Sequence, residues 1–77
     1  MKKTYTQYIV SYTYDTYLGG SEYFDDLDKA TDFAINKIMK NEVLCDRSYR
    51  LVKMTYTKNI FGNCQDVEMI ELDSWSE

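Results

Sequence analysis

The side chains that could do chemistry in this chain are few, and the absent ones decide most. There is no His among the 77 residues. That excludes Ser-His-Asp and Cys-His catalysis, His-ligated metals and a His-based pH switch. Cys45 and Cys64 are too few for a four-thiolate zinc site. They could pair if the helix end met the last hairpin, but in a chain that reads as cytoplasmic they are expected as free thiols. Acids gather at Glu22, Asp25, Asp26, Asp28 and Asp32 without the spacing of a calcium loop. Asp26 and Asp28 are better explained as the cap and first turn of a helix. Three Gly make no phosphate-cradling loop. The expectation is a non-catalytic protein with no cofactor, no metal site and no catalytic residue.

What remains is binding chemistry. Twelve aromatics include eight Tyr, at positions 5, 8, 12, 14, 17, 23, 49 and 56. Tyr combines apolar area with a polar tip and is enriched at interfaces. It is also simply a good strand former on a half-wet surface. Arg47, Arg50, Lys53 and Lys58 make one segment basic. With Tyr49 and Tyr56 nearby it could neutralise and stack single-stranded nucleic acid. Strand alternation would split that patch, however, and the net charge of −4 argues against a nucleic-acid partner.

These residues need elements to hold them. Seventy-seven residues make a single domain, 1–77, with room for one sheet and one helix, and an expected radius of gyration of about 11–12 Å. The apolar fraction of 44% and charged fraction of 29% are ordinary for a globular chain. No apolar run approaches the ~20 residues that span a bilayer. The start, Met1-Lys2-Lys3-Thr4-Tyr5-Thr6-Gln7, turns polar too soon for a secretory signal. A cytoplasmic protein is expected.

Thr4 to Tyr14 is rich in Tyr, Thr, Ile and Val and predicts a strand. Asp15 to Gly20 predicts a turn, with Gly19-Gly20 supplying any positive φ. Ser21 to Phe24 predicts a short return strand. Asp26, as N-cap, opens a helix to about Glu42 with Leu27, Ala30, Thr31, Ala34, Ile35 and Ile38 on one stripe. Ser48 to Asn59 and Cys64 to Asp73 predict two more strands around a loop at Asn59–Asn63. Val67 and Met69 fall on one face of the last strand and Ile70 and Leu72 on the other, which a bulge between Met69 and Ile70 would reconcile. Trp75 falls in a polar tail. The order is β(β)αββ: an α+β fold, mostly antiparallel, three to four strands with one helix on one face.

One helix covers only one face. Tyr8, Val10 and Tyr12 are the bulkier set of the first strand and are expected beneath it. Val10, Ala30, Ala34, Ile38, Val52 and Met54 are expected in the core. Tyr5, Ile9 and Leu51 are then expected on the opposite face as part of an intermolecular contact, shared by a homodimer or a foreign target. A tail around Trp75 folding back over that face is the competing expectation. Phe33 projects into the polar sector of the helix and Phe61 sits at a loop tip. Both join the candidate contact residues.

The segments Tyr8-Ile9-Val10-Ser11-Tyr12, Gly19-Gly20-Ser21-Glu22-Tyr23-Phe24 and Asp26-Leu27-Asp28-Lys29-Ala30, with Phe33-Ala34 following, resemble those of short phage and mobile-element proteins. Some anti-CRISPR proteins are built on a similar plan of one helix and an antiparallel sheet. The resemblance implies a non-catalytic inhibitor that occupies a surface of a host defence complex. A nucleic-acid-binding module using the Tyr-rich sheet face, or a structural homodimer subunit, are the alternatives.

Overall fold

The computed structural model describes residues 3–77; Met1 and Lys2, part of the polar start noted above, lie outside the described residues. Four strands, β1 (Thr4–Tyr14), β2 (Leu18–Phe24), β3 (Ser48–Lys58) and β4 (Cys64–Ser76), form one antiparallel sheet in the order β2-β1-β3-β4. A single helical rod lies between β2 and β3 in sequence. Its first half is α1 (Leu27–Phe33), and Ala34–Met39 continues it as a π-helix. The α+β class and the β-β-α-β-β order follow the expectation.

Local chemistry explains the boundaries. Asp26 caps α1, its Oδ1 accepting from the Asp28 amide at 2.7 Å. The wider turn ends with Lys40 N–H donating to Ile35 C=O, five residues back. The turn after β1 draws its left-handed geometry from Asp15 (φ 51°) and Thr16 (φ 70°), not from Gly19-Gly20, which lie within β2. Asp15 is tied to the connection before β3: its N–H donates to Cys45 C=O, and its Oδ1 accepts from Cys45 N–H. At the other end, Asn59 Oδ1 accepts from the amides of Phe61 and Asn63, and Gly62 takes φ 82°.

The rod packs diagonally, α1 against β1 and β2 and the π turn against β3. Its buried side, Ala30, Ala34 and Ile38, packs on Val10, Tyr49 and Leu51 of the sheet. The two alanines let the helix approach the sheet closely. Val10 and Leu51 are direct partners across β1 and β3, so both point to the helix. This corrects the expected core in two places. Val52 and Met54 are only half-buried on the other face, and Leu51 with Tyr49 takes their place. Leu27, expected on the buried stripe, is exposed.

The last strand also departs from expectation. Its irregularities lie at Leu72, an extra residue between the pairs Leu51–Asp73 and Val52–Glu71, and at Asp66-Val67 opposite Tyr56. They do not lie between Met69 and Ile70. Trp75 belongs to β4, paired with Tyr49 and stacked on it at 6.1 Å. It therefore lies on the helix side and does not cover the open face. The strands run past the helix, giving a body of 47 × 24 × 16 Å and a radius of gyration of 14.4 Å, larger than a compact chain of this length would have.

Candidate interaction surface

Strand pairing defines the uncovered face residue by residue. Directly paired residues in an antiparallel sheet point to the same side. Ile9 is flanked by Tyr23 of β2 and Val52 of β3. The next row holds Gln7, Met54 and Met69, and beyond it Tyr5 pairs with Tyr56. Alternation adds Val67. The result is an apolar and aromatic band crossing all four strands. Tyr23, Val67 and Met69 are 58%, 51% and 62% exposed, whereas Ile9 at the centre is only 8% exposed because its own row crowds around it.

The band ends in a stacked pair. Tyr5 and Tyr56 lie 5.4 Å apart at 17°. The ammonium groups of Lys3 and Lys58 stand 5.3 and 4.9 Å from the Tyr5 ring centre. Cations over an aromatic face are held by the ring quadrupole. Towards the opposite end the same face becomes small and hydroxylic. Ser11, Thr13, Ser21, Ser48, Ser74 and Arg50 line an open depression of about 460 Å³. Ser11 and Ser21 hydroxyls are 3.3 Å apart, and those of Thr13 and Ser48 are 2.6 Å apart. Arg50 Nε meets Glu71 Oε1 at 2.9 Å.

Of the expected contact residues, Tyr5 and Ile9 lie on this face, and Phe61 is 81% exposed at the tip of the β3–β4 loop beside Ile60. Leu51 does not lie there. It is on the helix side, 5% exposed, and its expected place is held by Val52 and Met54. Phe33 is also drawn inward: its ring packs on Phe24 at 5.4 Å and on Tyr12 at 5.6 Å. The oblique crossing of the helix brings its nominally polar side over β2. Tyr23, Val52, Met54, Tyr56, Val67 and Met69 were the residues missed. Their period-two spacing was visible, but only the pairing with Ile9 says which side that spacing serves.

The basic segment does not form a stripe. Arg47 is buried against the helix end, Arg50 is paired with Glu71, and Lys53 points to the helix side opposite Tyr8. Both cysteines are free and exposed, Cys45 beside the β1–β2 turn and Cys64 at the far hairpin. Among the described residues no group of three or more acids and thiols is placed to hold a metal ion, and no helix is long and apolar enough to cross a membrane. Comparison with protein-family models, curated proteins and solved structures gives no match to this chain.

Proposed function

We propose that this chain is a non-catalytic protein-binding module, of the kind used by phage-encoded and anti-CRISPR-like inhibitors, that seats its uncovered sheet face on a host protein complex. The observation that carries this is the band of Tyr5, Ile9, Tyr23, Val52, Met54 and Met69 lying where no helix covers it. Contiguous apolar surface rimmed by polar groups marks contact sites. The rim here is the serine-lined depression on one side and the two lysines on the other. The nucleic-acid alternative needs a free basic track, and two of the four cations of β3 and its approach are engaged within the chain.

The test is affinity capture with wild-type protein, Met54→Asp and Ile60→Asp as baits, each first shown to fold by circular dichroism. A partner held by wild type and Ile60→Asp but lost with Met54→Asp supports the face. A partner retained equally by all three removes it. Sedimentation of the purified chain over a range of concentrations tests the homodimer alternative, since a dimer lost in Met54→Asp would make a second copy the occupant.

A further inference from the structure

We infer that the outer edge of β4 takes up an extended, basic segment of the protein partner as a fifth strand. The inference rests on the chain being a protein-binding module. β4 is thirteen residues long and lies at the margin of the sheet. No described strand pairs with its outer side, so the outward N–H and C=O groups of residues 67–71 offer a ready template for another chain. The pairing of that stretch with β3 is regular from Glu68 to Glu71, between the irregularities at Asp66-Val67 and at Leu72. Its apolar side chains lie in solvent: Val67 and Met69 on the open face, Ile70 on the helix side, each more than half exposed. Proteins blunt such edges with Pro, with charged side chains, Lys above all, and with bulges, and here the two bulges leave the stretch between them straight. This chain has no Pro, and no Lys or Arg follows Lys58.

Charge selects the occupant. β4 carries Asp66, Glu68, Glu71 and Asp73 with no base on the same strand; within the chain Glu71 meets Arg50 and Asp73 accepts from Tyr49. Pairing β4 with the β4 of a second copy would bring together two strands that carry acids and no base, and like charges across a strand pair destabilise it. A segment with Lys or Arg at alternate positions instead meets Glu68 and Asp73, which share the helix side of the sheet. Main-chain hydrogen bonds supply the affinity of such an added strand and its alternate side chains the specificity. The opposite margin, β2, is seven residues long and carries one charge, Glu22. It is the poorer template.

The probe is a blocked octapeptide of alternating Lys and Thr. Two counterparts accompany it: one with Glu in place of Lys, and one N-methylated at every residue so that neither edge can donate. Isotope-labelled protein reports binding by amide shifts and exchange. The Lys-Thr peptide is expected to bind and to slow exchange of outward amides within 67–71. Its affinity should fall severalfold on raising salt from about 50 to 300 mM, as screening shortens the reach of exposed charges. The Glu-Thr and N-methylated peptides are expected not to bind, and the double variant Glu68→Lys/Asp73→Lys is expected to exchange the Lys-Thr preference for Glu-Thr. Equal binding of the N-methylated peptide, protection in β2 instead of β4, or no binding of the Lys-Thr peptide at millimolar concentration would each overturn the proposal. If Met54→Asp loses a partner while no peptide reaches β4, the edge proposal alone fails. If the peptide docks on β4 while no partner depends on Met54, the open-face proposal alone fails.

Discussion

Arg47 closes the end of the helix, and Glu77 holds it there. The Arg47 guanidinium donates to the carbonyls of Ile38 at 3.3 Å and Met39 at 2.7 Å in the last helical turn; the Ile38 carbonyl also accepts from the Asn41 amide. The Glu77 carboxylate grips its other side through Nε and Nη2, the Glu77 amide donates back to the Arg47 carbonyl, and the Trp75 ring lies 5.5 Å from the guanidinium carbon. The connection, the end of the chain beyond β4 and the helix terminus thus meet in one junction, with Arg47 buried at its centre and Glu77 exposed on its outer side.

Arg47→Met should lower stability by about 1.5–3 kcal/mol, the range for hydrogen bonds to a charged group. Arg47→Lys should not restore it fully, because one ammonium cannot reproduce the planar fork. Chemical denaturation of the three proteins measures this directly.

The same junction sets a pH dependence. The hydrogen bond from Arg47 holds the Glu77 carboxyl below its ordinary pKa. A group with a depressed folded pKa contributes stability above its unfolded pKa, and that contribution disappears as pH falls through the folded value. Melting temperature should therefore fall more steeply on acidification from pH 5 in wild type than in Glu77→Gln. Parallel profiles would show that the pair contributes nothing.

Tyr49 gives the alkaline counterpart. Burial, then the hydrogen bond to Asp73 Oδ2 at 2.9 Å, then the charge of that carboxylate, raise its phenol above the usual value. The neutral form is favoured in the fold, so this contribution is present below the unfolded pKa and is lost as pH rises through the folded one. In an ultraviolet titration the Tyr49 step should fall above the ordinary phenol value, and Tyr49→Phe should remove that step.

Leu51 and Val52 are neighbours in sequence on opposite faces. Leu51→Ala should cost about 2–5 kcal/mol, as should Ile38→Ala beneath the helix, whereas Val52→Ala should cost clearly less. Leu51→Asp should unfold the chain and Val52→Asp should leave its far-ultraviolet spectrum intact. The reverse order would place the helix on the wrong side of the sheet.

Gly19 has a packing reason to lack a side chain. A Cβ there would run into the backbone carbonyl of Tyr12, inside any normal contact distance. Gly19→Ala should cost about 1–3 kcal/mol through forced backbone shifts. Slowed-exchange amides of the β1–β2 pair should be the first to lose protection.

Much of this fold is legible before folding is considered. The Asp26 cap, the small stripe of Ala30 and Ala34 with Ile38, and the turn chemistry of Asn59–Asn63 act within a few residues and leave local marks. The side of β3 that meets the helix leaves none. Arg50, Val52, Met54 and Tyr56 are about as apolar as Tyr49, Leu51, Lys53 and Thr55, so alternation identifies two faces without ranking them. The ranking comes from the Val10–Leu51 pairing, a long-range register. Phe33 escaped for a related reason: a helical projection assumes a helix viewed end-on to its support, and this one crosses the sheet aslant.

The position of β1 between β2 and β3 governs how the chain meets the ribosome. β2 follows β1 closely and can pair as soon as it emerges. The other edge of β1 waits for a partner that starts at Ser48, 35 residues beyond Thr13. At 5–20 residues per second, about 2–9 s pass between completion of β1 and arrival of the whole of β3. Through that interval the Tyr- and Ile-bearing strand that becomes the centre of the sheet is a nascent edge, open to chaperones and to neighbouring chains alike.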